Sequence, residues 1–341
     1  MTDLLADTGG GPGGGSGGSR GGDSGAGSGT LPWLRAVEAE FAERLAADRV
    51  AHAVLLAGPA GTGKGALAAG FMAGLLCLEN RYPACGECRS CRLLRSGAHP
   101  DGHVVTFEPH PNKKDELRTE IVVDQVRRLT AALQLTNTVS RRKAALVVPA
   151  EVLNVAAANA LLKTLEEPPG DAVLLLVAHQ PSRLAATIRS RCQALNVRLP
   201  DRDEALGWLA GEVGGQAEQA ALALEAAAGS PLVARQMLQN NGTEAYAALA
   251  ATLESLRGAD GAPGAAMADL AEVDPGLLWT WLSLRAAQET RTHLGRPDLA
   301  RRFAGLQAEA DRNRRLVPTP VRKDLLLQDW LIQWAQIGPE G

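Results

Sequence analysis

The chain has 341 residues, 45% hydrophobic and only 4% aromatic, enough material for two or three domains with cores of their own. A net charge of −3 excludes a generally basic protein that coats nucleic acid, while leaving room for a local contact. No apolar run approaches the about 20 residues that span a bilayer, and the N-terminus has no basic-then-apolar leader, so a cytoplasmic location is expected. Five cysteines in a reducing compartment, an odd number, argue against disulfides.

Residues 1–30 are Gly/Ser-rich and nearly free of large apolar groups. They cannot bury enough surface to offset their ordering entropy, so they read as a flexible tail. Order is expected from Leu31-Pro32-Trp33 onward, followed by a helix carrying Val37, Phe41 and Leu45 on one face. A strand over residues 52–57 then runs into Gly58-Pro59-Ala60-Gly61-Thr62-Gly63-Lys64-Gly65, and a helix from Lys64 to about Cys77 leaves it. The run fits G-x-x-x-x-G-K-[ST] at every position but the last. Gly58, Gly61 and Gly63 let backbone N–H groups converge on a phosphate at a helix N-terminus, and Lys64 adds charge. The last position should give a hydroxyl to Mg²⁺, which Gly65 cannot do. The pattern is that of a P-loop NTPase with a fault at the metal.

Cys77, Cys85, Cys88 and Cys91 lie within fifteen residues, the last three as C-x2-C-x2-C, among turn and polar residues. Four thiolates at this density suit one tetrahedral Zn²⁺, because two-residue gaps let a turn aim adjacent sulfurs at one ion. Buried free thiols or an iron–sulfur cluster are the alternatives. Closure by four cysteines leaves no open coordination position, so such a zinc is structural. Cys192, a hundred residues on, reads as a small buried hydrophobe.

His99-Pro100-Asp101 precedes an apolar run, Val104 to Phe107, that reads as a strand. A charged segment over 113–120 leads to helical spacing from Ile121, and Ala144 to Val148 is a continuous apolar run expected as a buried strand. Asn154 caps a helix that ends before Pro168-Pro169, and Ala172 to Ala178 is another buried strand. Strands alternating with helices after a P-loop predict a parallel α/β sheet covered on both faces. A working ATPase would carry acidic residues where the 144–148 strand ends, and this strand ends in Val148-Pro149, with Glu151 two residues beyond. A lost hydrogen bond to a charged group costs about 1.5–3 kcal/mol. Loss of the hydroxyl and the carboxylates together should suppress hydrolysis far more than binding, and Lys64 with the loop backbone could still hold ATP or ADP weakly. Lys163 and the run Arg141-Arg142-Lys143 read as solvated charges, the latter with a possible role at DNA phosphates within an assembly.

Beyond about residue 200 the sequence is Ala/Leu-rich with helical spacing and no strand signal. Residues 259–265 are a Gly/Pro/Ala break, and the segments 277–282 and 325–334 are apolar helices with several tryptophans, suited equally to a bundle core or to an interface.

The P-loop, the four-cysteine insertion behind its helix, the run Asn159 to Pro169 (NALLKTLEEPP) and Ser190-Arg191-Cys192 together resemble bacterial clamp-loader subunits over about residues 31–235. These are AAA+ proteins of the DNA polymerase III holoenzyme. The resemblance implies an α/β AAA+ P-loop domain with parallel sheet and zinc-binding insertion (31–198, the insertion at 77–91), then a helical lid (199–241) and an all-α collar (242–341). Motor subunits of the family, tau and gamma, keep an intact loop and a strand-end Asp-Glu, whereas this chain resembles the members with eroded sites. The zinc ligands fall on Cys77, Cys85, Cys88 and Cys91, and the arginine that reaches into a neighbour's ATP site falls on Arg191. Strand-end acids would fall at Val148 and Pro149, a polar sensor near Ala178 and His179, and a second sensor arginine just after Gly229-Ser230, where Pro231-Leu232 stands and Arg235 lies a helical turn on. The strand-end acids and the second sensor read as lost, while the role of the first sensor stays open.

What the resemblance implies is a stator that does not hydrolyse ATP and helps load a sliding clamp onto primed DNA. It would sit between tau/gamma-like motors and a delta-like clamp-opening subunit, giving Arg191 in trans. Nucleotidyl transfer would belong to other chains of the holoenzyme. The rival readings are a working motor, with a water replacing the Gly65 hydroxyl and Glu151 as base, and a zinc-containing nucleotide sensor outside replication.

Overall fold

Five short apolar runs build the sheet of this computed structural model, which describes residues 31–111, 117–212, 217–239, 242–258, 263–270, 273–317, 319 and 321–337. The expected tail, part of the charged segment and most of the 259–265 break lie outside the described residues. The rest divides into two compact units, one up to Glu204 and one from Ala205.

In the first unit, strands β1 (Ala53–Ala57), β2 (Gly102–Val105), β3 (Ala144–Val147), β4 (Val173–Ala178) and β5 (Gln193–Asn196) pair in the order β2-β3-β4-β1-β5. Every pairing is parallel. β1, β3 and β4 are buried along their whole length, which explains their continuous apolar runs. Side chains alternate between the two faces. Ala53, Leu55 and Ala57 join one core with α4 (Val123–Gln134) and α5 (Val155–Glu166), while Val54 and Leu56 join the other with α1 (Arg35–Ala46) and α2 (Lys64–Leu76). Asn154 caps α5 as expected, its side chain accepting the Ala157 N–H at 2.9 Å. Two shorter helices, α3 (Arg89–Arg95) and α6 (Ala186–Arg189), lie in the connections.

β2 begins two residues before the expected strand. Gly102 pairs with Ala144 and Val105 with Val147, so pairing stops where β3 stops and Thr106 and Phe107 have no partner strand. Because all strands run the same way, the loops leaving β1, β3 and β4 gather at one carboxyl edge, where ligands bind in sheets of this kind.

The second unit is helical throughout its described residues: α7 (Arg202–Glu212, entering from the first unit), α8 (Ala217–Ala226), α9 (Pro231–Gln239), α10 (Gly242–Arg257), α11 (Pro263–Leu270), α12 (Pro275–Thr292), α13 (Pro297–Leu316) and α14 (Lys323–Ala335). One continuous core runs from Ala205 to Ile337. Trp279, Trp281, Trp330 and Trp334 are core residues, each at most 2% exposed. Three of their indole N–H groups are satisfied by carbonyls, Trp281 by Ala226, Trp330 by Leu306 and Trp334 by Leu253.

Candidate functional site

At the carboxyl edge, Gly58 leaves β1 at φ +155°, its N–H donating to Ala178 O, and an added Cβ would stand 1.9 Å from the Val197 carbonyl oxygen. Gly61 and Gly63 take left-handed φ values of +73° and +91°, which turn the loop into α2. Lys64, the first residue of α2, is fully buried. Its ammonium donates to Pro59 O at 2.5 Å and to Thr62 Oγ1 at 3.2 Å, and Thr62 Oγ1 donates to Pro59 O at 3.1 Å. Trp33 Nε1 closes the outside by donating to Thr62 O at 2.9 Å. The P-loop lysine is thus turned into its own loop.

β3 runs out into Val148-Pro149, so no carboxylate stands at its end. Glu151, in the following turn, accepts the N–H groups of His179 at 2.9 Å and Gln180 at 3.0 Å through Oε1, tying the exit of β3 to that of β4. Its Oε2 is buried with no hydrogen-bond partner among the described residues. Ala178 ends β4 as a buried residue, and Arg235 on α9 pairs with Glu212 at 3.2 Å and lies over Trp208.

The opposite, amino edge carries the thiols. Cys77, Cys85, Cys88 and Cys91 bring their sulfurs within 4.8 Å of one another, Cys85 and Cys91 to 3.8 Å. Zinc–sulfur bonds of about 2.3 Å in a tetrahedron place sulfurs about 3.8 Å apart, so this donor set fits zinc. Backbone N–H groups of Cys85, Cys88 and Cys91 point at the Cys77, Cys85 and Cys88 sulfurs, at 3.4–3.5 Å. Burial pushes the Cys88 thiol up, but the N–H groups of Cys91 and Leu78 and the Cys91 and Cys85 thiols bring it down to about 6, while burial and the Cys88 thiol push Cys91 up to about 12. Cys192 packs half-buried against the core, its thiol pushed up to about 11 by burial.

A buried polar cluster anchors this insertion to the sheet. Ser90, between two of the cysteines, bonds Leu76 O at 2.6 Å and His99 Nε2 at 2.7 Å, and Ser140 reaches Leu76 O at 2.7 Å. Asp101, fully buried, accepts the N–H groups of Thr138, Val139 and Ser140 and faces Lys143 at 3.8 Å. A serine, a histidine and an aspartate here do not make a nucleophilic triad. His99 Nδ1 accepts the Asp101 N–H at 3.0 Å, so the neutral ring carries its proton on Nε2 and donates to serine instead of taking its proton.

Arg142 and Lys143, expected to be solvated, are buried. Arg142 pairs with Asp48 at 2.6 Å and Lys143 with Asp101, because they form the entry to the buried strand β3. Arg141 and Lys163 are exposed as expected.

Arg191 also belongs to the amino edge, two residues ahead of β5. Its Nε and Nη2 both donate to Glu166 Oε1, at 2.8 and 2.6 Å, and Nη1 donates to Thr187 O at 3.0 Å. The side chain remains 37% exposed. The sequence singles out Arg191 and offers Glu151 only as a rival base, where the structure makes it a backbone clip; the Glu166 partnership and the Asp101 cluster are not visible in it.

The fold and the loop define the class: a P-loop α/β domain with a four-thiol insertion, continued by a helical unit. The family model described as "DNA polymerase III, delta subunit" matches residues 34–201. A DNA polymerase III subunit delta' from Pseudomonas aeruginosa is 38% identical over 314 residues, 89% of this chain and 90% of that protein. The delta' subunit of Escherichia coli is 36% identical over 65% of each chain. A tau/gamma subunit from Haemophilus influenzae is 32% identical over 46% of this chain and 22% of its own length. This chain belongs to the delta' subunit family of DNA polymerase III.

Proposed function

We propose that this delta' subunit acts in the DNA polymerase III clamp loader as a stator that does not hydrolyse ATP and lends Arg191 to the ATP site of a neighbouring tau/gamma-like motor. One contrast carries the reading. Lys64 is consumed by its own loop, beside Gly65 and a strand end without acids, while the Arg191 guanidinium keeps an exposed edge. A cation delivered in trans stabilises charge on the transferring phosphoryl group and is worth about 10³–10⁵ in rate.

The remaining partners of the reading are a delta-like clamp-opening subunit and, through the assembly, the sliding clamp and primed DNA. Residues 199–241 would serve as lid and 242–341 as collar. ATP or ADP would bind the closed loop weakly if at all. Zinc, held by Cys77, Cys85, Cys88 and Cys91, would fix the insertion without taking part in chemistry, and metal analysis of the purified chain should find one equivalent. No helix among the described residues is long and apolar enough to cross a membrane, in keeping with a cytoplasmic place beside the other replication proteins.

The test is ATP hydrolysis by a reconstituted clamp loader with primed DNA and clamp, run beside the isolated chain. Silence alone, with activity in the assembly that falls on Arg191→Ala, supports the stator. Hydrolysis by the isolated chain that Lys64→Ala abolishes would overturn it in favour of a motor.

A further inference from the structure

The Glu166 carboxylate grips Arg191 in a way that ordinary surface pairing does not explain. One oxygen, Oε1, accepts from both Nε and Nη2, and the Thr187 carbonyl takes Nη1 from the other side. The guanidinium plane is therefore fixed from two elements, the C-terminal end of α5 and the short α6. Both partners are substantially exposed, 37% for the Arg191 side chain and 50% for Glu166. A pair this exposed adds little to stability, so its consequence lies in where it holds the cation.

Arginine has five N–H donors. Glu166 and Thr187 take three, leaving a second hydrogen on Nη2 and one on Nη1 whose nearest partner is Ser190 Oγ at 3.5 Å, the limit of a hydrogen bond. Those two hydrogens are on the terminal nitrogens, the end of the group that can meet two oxygens of a phosphoryl group at once. A free arginine would have to freeze a long side chain at the moment of reaction. One already held in place loses less freedom.

We propose that Glu166 is a positioning residue for trans catalysis: it presents the terminal N–H pair of Arg191, already oriented, to the neighbouring subunit's nucleotide. This rests on the reading of Arg191 given above. Glu166 touches no nucleotide itself and acts only through the arginine.

The experiment measures ATP hydrolysis by the complete reconstituted clamp loader with Glu166→Ala, Glu166→Gln, Arg191→Ala and the Glu166→Ala/Arg191→Ala pair, each checked for assembly and melting temperature. Misplacing a positioned group costs up to about 100-fold, so Glu166→Ala should lower kcat about 10- to 100-fold with KM for ATP nearly unchanged. Glu166→Gln, which keeps an acceptor oxygen, should restore most of the rate. The double variant should be no slower than Arg191→Ala. A wild-type rate in Glu166→Ala beside a slow Arg191→Ala would sink the positioning role and leave the arginine's role standing. So would a faster Glu166→Ala, which would make the carboxylate a restraint, or an equal further loss in the double variant, which would make it structural. A wild-type rate in Arg191→Ala overturns the trans reading and this proposal with it.

Discussion

The two edges of the sheet treat their charged groups in opposite ways. At the carboxyl edge the charged groups around the P-loop and the neighbouring strand ends bond the protein itself: Lys64 the loop carbonyl of Pro59, Glu151 the backbone leaving β4. At the amino edge Asp101 is likewise turned inward, but Arg191 is held with part of its surface open. On the proposed reading, the chain closes a nucleotide site of its own while keeping, on the far side of the same sheet, a group for use by a neighbour. Inward groups should register in the stability of this chain, and the outward one in the chemistry of a neighbour.

Arg191→Ala gives the largest expected effect, a loss of about 10³-fold or more at the neighbouring ATP site, with stability changed by no more than about 0.5 kcal/mol. Single-turnover hydrolysis in the assembly and thermal melting of the isolated chain read the two halves. A stability loss without a rate loss would erase the contrast between the edges.

Asp101→Ala should do the reverse. It leaves three N–H groups and the Lys143 ammonium without their acceptor, a loss of about 3 kcal/mol or more, with the motor's hydrolysis unaffected once the chain is folded. Burial pushes the Asp101 carboxyl up, but the N–H groups of Ser140, Thr138 and Val139 and the Lys143 charge outweigh it and hold it below its usual range. A lowered folded-state value contributes stability that is complete above the unfolded value of about 3.9 and is lost as pH falls through the folded value. Denaturant curves of the wild type and Asp101→Ala should therefore differ fully at neutral pH and converge in acid. A gap that stays constant down to pH 2 would mean that the carboxylate charge is not what binds the loop.

Glu151→Ala should cost about 1–3 kcal/mol by leaving the His179 and Gln180 N–H groups without an acceptor. If it abolished hydrolysis by the isolated chain, the residue would be a base and not a clip. Lys64→Ala loses ammonium hydrogen bonds worth about 1.5–3 kcal/mol, but relief of the buried charge offsets much of that, so the net change in stability should be the smallest of the set, with no change in hydrolysis by the assembly, read in the same two assays.

What sequence made legible was local. The P-loop, the thiol spacing, the Asn154 cap and the apolar runs of β1, β3 and β4 each lie within a short window, where periodicity and ligand spacing act directly. What it hid were partnerships between elements. Glu166 meets Arg191 across 25 positions, Glu151 meets His179 across 28 and Asp101 meets Ser140 across 39, each set by the order in which strands pair. The burial of Arg142 and Lys143 was hidden for the same reason, since a charge run looks solvated until the strand it opens is placed beside its neighbours. A signal for Asp101 was present in His99-Pro100-Asp101 ahead of a strand, but nothing local says which loop it would bind. The tryptophans of α12 and α14 became core residues only once one continuous helical core surrounded them.

Gly58 has a consequence for how such chains are read. The Val197 carbonyl fills the space that any side chain there would need, and the backbone angle itself favours glycine. The first glycine of the loop is thus demanded by the neighbouring strand's exit and would be demanded with no phosphate ever bound. A descendant that gives up ATP keeps this letter of the motif as a matter of carpentry. This first glycine of the P-loop, unlike its hydroxyl and its distant acids, is therefore a record of the fold before it is a sign of present chemistry.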